Sequence, residues 1–237
     1  MFMKVSLIGA GHTLQRFVRN FSKVYEFKAS HRDQLYALED RIEGDLEPFL
    51  SSDAMVFSLP PSQAALNLVK QIEFEKKFIL LSSIGVYEKN NGEFDEEAIL
   101  GENSRAQLIR EIELAAQAKP RGIVFRLGGL FDEDRHPVRS ILKRNSTPEA
   151  HELINFVHTD DVGIALDCIL KNNPQKNCYN LVDINHPTKE EYYSQIAKSW
   201  GENPINFSRE STLRCQFSSS RFIKEFSTPD NFLNRVR

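Results

Sequence analysis

Cysteine is scarce in this chain of 237 residues. Cys168, Cys178 and Cys215 are odd in number and show no CxxC spacing. That argues against a disulfide framework and against a zinc site, and it implies a reducing, cytoplasmic compartment. Long hydrophobic runs are missing: none approaches the roughly 18 residues needed to span a bilayer. Met1-Phe2-Met3-Lys4-Val5 leads straight into strand-like sequence without a signal-peptide pattern, so no membrane partner is expected. There is no basic excess. The formal net charge is −3, which leaves no electrostatic case for nucleic acid. Internal repeats and low-complexity segments are also absent. What is present is 41% hydrophobic and 27% charged residues, an ordinary composition for one α/β domain with a small appended lobe.

Short β-branched runs alternate with amphipathic stretches over the first two-thirds, the pattern of βαβ units around a parallel sheet. Strands are expected at Lys4–Ile8, Val24–Ala29, Asp53–Leu59, Lys77–Leu81, Gly122–Leu127 and Cys178–Val182. Phe78-Ile79-Leu80-Leu81 is apolar on both faces, as a central parallel strand must be. Helices are expected at His12–Phe21, at Ser62–Ile72 with Ser62 as N-cap, at Ser104–Ala118, at Val162–Leu170 and at Lys189–Trp200. The stretch from Asp132 to His151 is polar and reads as loop. The fold class is a doubly wound Rossmann α/β sheet. Residues 1–131 and 152–184 form its nucleotide-binding domain, and residues 132–151 and 185–237 form a small substrate-binding lobe.

Gly9-Ala10-Gly11 follows the first strand and opens the first helix. A glycine turn there lets backbone amides approach a diphosphate, with the helix N-terminus adding positive potential. Leu14 stands where a third glycine usually permits close helix–strand packing, so the helix is expected to sit farther from the sheet. After the second strand the chain offers Ser30-His31-Arg32 instead of an acid for the ribose. Arg32 either pairs with a 2′-phosphate, which leans toward NADP over NAD, or is an exposed arginine after a strand.

Six segments in order resemble the extended short-chain dehydrogenase/reductases, the NAD-dependent epimerase/dehydratase family. They are Gly9-Ala10-Gly11, Gly44-Asp45-Leu46, Leu81-Ser82-Ser83-Ile84-Gly85-Val86-Tyr87, Arg126-Leu127-Gly128-Gly129-Leu130-Phe131, Val157-His158-Thr159-Asp160-Asp161-Val162 and Tyr179-Asn180-Leu181-Val182-Asp183. Arg135-His136-Pro137 is similar to the atypical subgroup of small nucleoside-diphosphate-sugar epimerase-like proteins. The resemblance implies that Gly9, Gly11, His12 and Thr13 border the diphosphate. It puts Asp45 and Leu46 near the adenine, with Ser58, Leu59 and Pro60 on the path to the nicotinamide. Ser82 and Arg126 border the nicotinamide, and Ser83 bonds a substrate oxygen. Tyr87 walls the pocket; by its own chemistry it is either a displaced acid or, the favoured reading, a packed aromatic with a bonded hydroxyl. His158 and Asp161 belong to a helix-capping motif.

The family's Tyr-x-x-x-Lys pair is missing anywhere in the chain. Aligning Glu111 with the family's glutamate puts Asn103 and Gln107, neither of which titrates, at the two positions. Three functional readings follow. One is an NAD(P)-dependent oxidoreductase or epimerase acting on a nucleotide-sugar-like or small carbonyl substrate. The second is a non-catalytic NAD(P)-binding redox sensor or regulatory protein, and the third is a scaffold that binds no dinucleotide. The helix carrying Leu108, Ile112 and Ala115 either pairs subunits in a homodimer or is buried within one chain.

Overall fold

Successive residues of the Lys77–Ser83 strand feed two different hydrophobic cores, and this alternation organises the molecule. Phe78 and Leu80 point to one side of the sheet, Ile79 and Leu81 to the other. The computed structural model describes residues 2–30, 35–37 and 42–236, with backbone alone at 35–37 and 42–43. In chain order its elements are β1 (Met3–Ile8), α1 (His12–Phe21), β2 (Tyr25–Ala29), β3 (Leu35–Ala37), β4 (Ile42–Gly44), α2 (Glu47–Leu50), β5 (Ala54–Phe57), α3 (Gln63–Gln71), β6 (Lys77–Ser83) and β7 (Gly92–Phe94). They continue with α4 (Ser104–Gln117), β8 (Gly122–Leu127), β9 (Gly129–Phe131), α5 (Pro137–Arg144), β10 (Phe156–His158), α6 (Thr159–Lys171), β11 (Cys178–Leu181), α7 (Lys189–Ser199), β12 (Cys215–Phe217) and α8 (Ser220–Glu225).

The six expected strands form one parallel sheet in the order β2-β1-β5-β6-β8-β11. The chain runs outward from β1 to β2 and then returns on the other side to β5. The order therefore reverses between β1 and β5, and the crevice beyond their carboxyl ends is where such sheets bind ligands. One face is covered by α1, α6 and α8, the other by α2, α3 and α4. Fully burying each Leu, Ile or Phe contributes roughly 1.5–3 kcal/mol, so both layers are needed to hold a sheet this apolar.

Leu14 is fully buried in the first of these cores. The close helix approach that a third glycine would allow is made instead at Gly163 of α6, where a Cβ would lie 3.3 Å from the Phe21 ring. In α4, Ile112 is buried against the sheet within the chain, with Leu108 and Ala115 at the edge of the same core.

Two expectations need correction. The 132–151 stretch contains α5, which starts at Pro137 with His136 as N-cap and ends at Asn145 in the left-handed conformation. Pro at the first helical position and the Val138, Ile141, Leu142 spacing were the available signals. The 185–237 segment also does not stay in the small lobe. Tyr192, Tyr193 and Ala197 of α7 pack with Val138, Ile154 and Val236 in that lobe, but Phe222, Phe226, Phe232 and Leu233 return to the sheet core. The C-terminal residues therefore join the two cores.

Candidate cofactor crevice and active site

The two glycines of the turn have different physical reasons. Gly9 has φ +81°, and a Cβ there would meet the Ser58 carbonyl oxygen at 2.3 Å and the Leu59 side chain at 2.7 Å. Its backbone N–H donates to Ser30 Oγ at 3.0 Å. Packing of the turn against the end of β5 alone demands glycine. Gly11 has φ −72°, and nothing lies closer than 3.9 Å to a Cβ built on it. Neither conformation nor packing requires glycine at this position. It keeps the entrance to α1 open.

That entrance is also uncapped. Ser62, Asn103, His136, His158 and Thr188 cap α3, α4, α5, α6 and α7 with their side chains, whereas α1, like the short α2 and α8, has no side-chain cap. Its first N–H groups, from His12 onward, are left for a ligand. Thr13 is buried in this turn. His12 faces sideways: its Nε2 donates to Asp132 Oδ2 at 2.7 Å. Asp132 also accepts from Thr159 Oγ1 and from the backbone amides of Asp134 and Arg135. Burial works against its charge, but the bonds from Thr159, His12 and the Arg135 amide outweigh it and hold the carboxyl at about 2. His12, Asp132 and Asp134 offer atoms within 4.8 Å of one another, a spacing a metal ion would also fit. Asp132, however, has both oxygens taken by protein donors. Beyond His12 and Thr13 opens a cavity of about 410 Å³ that Arg135 and Arg139 also line.

Along the crevice, Ser58 is tied to β1 through its N–H to Ile8 O at 2.8 Å. Leu59 and Pro61 line an apolar cleft with Ser82, Ser83, Ile109 and Ile112; the exposed Pro60 stands outside it. Asp45 accepts from the Glu47 amide at the start of α2, and Leu46 packs at the edge of the α3-side core. Arg32 lies outside the described residues.

Ser83 Oγ accepts the Gly85 N–H at 3.0 Å, and among the described residues its own hydroxyl proton has no acceptor. It is available to a substrate oxygen. The neighbouring polar groups are committed elsewhere. Ser82 Oγ donates to Glu113 Oε1 at 2.5 Å. Arg126 is 6% exposed and grips Glu113 through Nε and Nη2, with Nη2 to Oε2 at 2.7 Å. Its Nη1 donates to the Tyr87 hydroxyl, which itself donates to Asn180 Oδ1 at 2.7 Å.

Tyr87 and Arg126 are both buried in this network. Tyr87 is 2% exposed, and burial pushes its phenol well above the ordinary range, the environment of a packed aromatic with a bonded hydroxyl. Arg126 is a buried cation held by Glu113. Glu111 is exposed, and the glutamate that faces the sheet is Glu113, two residues on. On the same helix Arg105 is exposed and Ile109 is buried. Asn103 caps α4 through Oδ1 to the Ala106 amide. Ile109 lines the cleft beside Ser83, so α4 presents an apolar wall there and no proton donor.

The histidines are structural too. His136 caps α5 and shares a 3.1 Å bond with the Tyr192 hydroxyl, and burial, with Arg139 adding to it, lowers it to about 4. His158 caps α6 and is likewise lowered by burial.

On its other side Ser83 opens into a second cavity of about 280 Å³, walled by Lys89, Glu152, Lys189, Leu213 and Phe217. Sequence reasoning missed all of these. Isolated lysines in loops and at a helix start carry no spacing signal, and the fold alone brings them to Ser83.

No family model matches the chain. Protein YeeZ of Escherichia coli K12 is 27% identical over 178 residues, covering 69% of this chain and 65% of that protein. A conserved protein of unknown function from Silicibacter pomeroyi DSS superposes with a TM-score of 0.78 at 18% identity, over 98% of this chain and 95% of that one. The human epimerase family protein SDR39U1 (isoform 2), solved with NADPH, gives a TM-score of 0.75 at 14% identity, over 99% of both chains. Among the described residues no helix is long and apolar enough to cross a membrane. With its six-stranded parallel sheet and its glycine turn at the point of strand reversal, the chain has a Rossmann-type α/β fold, the fold of the solved structures on which it superposes.

Proposed function

We propose that this chain binds a nicotinamide dinucleotide, NADP or NAD, across the β1–β5 crevice and is an atypical oxidoreductase or epimerase. The observation that carries this reading is Gly11, a glycine with no packing or conformational requirement, placed before an uncapped helix. The residues fit the group: the amides of His12 and Thr13 would hold the diphosphate, with Gly11, whose own amide turns back to the Gly9 carbonyl at 2.7 Å, leaving room for its approach and Ser58 and Leu59 along the path to Ser83. A bound nicotinamide would supply hydride transfer. The chain's own contribution is to orient the substrate, with the Ser83 hydroxyl donating to a carbonyl or carbinol oxygen. The buried Leu80, Leu81, Ile109 and Ile112 keep water from the cleft. If Arg32 pairs with a 2′-phosphate, NADP is preferred.

Fluorescence titration with NADPH and NADH tests the reading. A saturable signal, stronger with NADPH, is expected; no saturable signal with either cofactor would defeat it. A second reading, a cofactor-binding sensor without chemistry, is favoured by the apolar Ile109 and the buried Tyr87, which leave no side-chain proton relay on α4. Hydride exchange across a panel of carbonyl compounds separates the two. Exchange that is lost in Ser83→Ala supports the enzyme, and no exchange with any compound supports the sensor.

A further inference from the structure

The 280 Å³ cavity beyond Ser83 lies between the end of β6 and the small lobe. Several of its polar groups are already occupied. Asn155 donates from Nδ2 to the Cys215 carbonyl at 2.8 Å and accepts the Phe217 amide at 3.0 Å. Cys215 donates its thiol to the Asn90 carbonyl, and burial pushes that thiol up. The groups left to meet a ligand are the Ser83 hydroxyl, the exposed Lys89 and the Lys189–Glu152 ion pair. Lys89 has no carboxylate partner among the described residues. Glu152 also accepts from Ser211 Oγ at 3.2 Å, which divides its charge between two donors. The cavity therefore presents one net positive charge, with Leu153, Leu213 and Phe217 as its apolar wall.

Size narrows the ligand further. The volume falls below the ~300–1,000 Å³ typical of sites for drug-sized molecules. It equals the space of about nine waters at ~30 Å³ each. A nucleoside-diphosphate sugar, with two anionic phosphates and a base, matches neither the volume nor the single net charge.

We propose that this cavity is the substrate site and that it takes a compact monoanionic hydroxy or keto acid. The carboxylate lies toward Lys89 and Lys189, the carbinol or carbonyl oxygen at Ser83, and a small apolar group against Leu213 and Phe217. This deepens the proposed function, because the oxygen held at Ser83 is the one at the reacting carbon. It also resolves the substrate alternatives in favour of a small compound.

The test is calorimetry on the cofactor-free full chain, with lactate and mandelate as probes, lactamide and mandelamide as uncharged counterparts, and UDP-glucose as the large alternative. The acids are expected to bind at least tenfold more tightly than their amides. Lys189→Met should erase most of that preference, Lys89→Met part of it, and Lys189→Arg should restore it. Ser83→Ala should weaken acid and amide alike. Equal binding of acid and amide, no heat with either acid, an unchanged preference in Lys189→Met, or binding of UDP-glucose in place of the acids would each overturn the proposal. Because the measurement needs no cofactor, loss of NADPH binding with the acid preference intact counts against the cofactor reading alone.

Discussion

Gly9 and Gly11 are two residues apart, yet replacing each with alanine should have opposite consequences. At Gly9 an alanine must adopt φ +81°, which costs about 1–2 kcal/mol for an L-residue. Its methyl would also fall 2.3 Å from the Ser58 carbonyl oxygen and 2.9 Å from its carbon, backbone atoms just past β5 that cannot rotate aside. Forcing β1 and β5 apart adds roughly 1–3 kcal/mol. Gly9→Ala is therefore expected to destabilise the fold by about 2–5 kcal/mol. In a chain of this length each kcal/mol lowers Tm by ~2–4 °C. At Gly11 an alanine meets nothing within 3.9 Å and needs no unusual φ. Restricting the unfolded chain gains about 0.4–1 kcal/mol, and replacing glycine at an N-cap position loses up to ~1 kcal/mol. Gly11→Ala should leave stability within about 1 kcal/mol of wild type. Its methyl would nevertheless stand where the diphosphate must approach, so NADPH affinity should fall tenfold or more, about 1.4 kcal/mol. Urea unfolding and NADPH titration on both variants provide the readout. Equal destabilisation by the two substitutions, or an unchanged affinity in Gly11→Ala, would refute this division of labour.

Three further outcomes follow from the buried polar groups. Glu113→Ala leaves the Arg126 guanidinium buried without its partner and should cost about 3–5 kcal/mol in urea unfolding; a loss under 1 kcal/mol would show that water or Glu96 replaces it. Tyr87→Phe removes the bonds to Asn180 and Arg126, for about 1–3 kcal/mol, but should not alter the rate of any hydride exchange the wild type supports. Asp132 titrates at about 2 when folded against ~3.9 when unfolded, so its contribution is present above pH ~4 and fades as pH falls toward 2. Asp132→Asn should remove about 2 kcal/mol at neutral pH and flatten the acid limb of the stability profile.

The sheet was readable because its strands are apolar on both faces and end at turn residues. Phe78–Leu81 announces a central strand, and Pro60-Pro61 ends the strand at Phe57. The first helix and its glycine turn were readable for the same local reasons. What escaped depends on tertiary contacts. The parallel pairing of β12 with β7 joins segments about 120 residues apart and has no local signature. The buried Glu113–Arg126–Tyr87 network could not be seen because the chain offers Glu111 and Glu113 alike, and only packing decides which one faces the sheet. Tyr87 read in sequence as a packed aromatic or a displaced acid; what the sequence could not supply was the identity of its partners in space, Arg126 and Asn180. Lys89, Glu152 and Lys189 meet at Ser83 only because the small lobe folds back over β6.

The central claim is that the crevice between β1 and β5 holds a dinucleotide with its reactive end at Ser83. A crystal structure of the NADP-soaked protein tests it most directly. The account predicts the diphosphate on the backbone amides of His12 and Thr13, passing over Gly11, and the nicotinamide ring beside Ser83, with Arg126 still locked to Glu113. Crystals in which the soaked dinucleotide is bound elsewhere, or in which the amides of α1 remain without it at saturating concentration, would contradict the account.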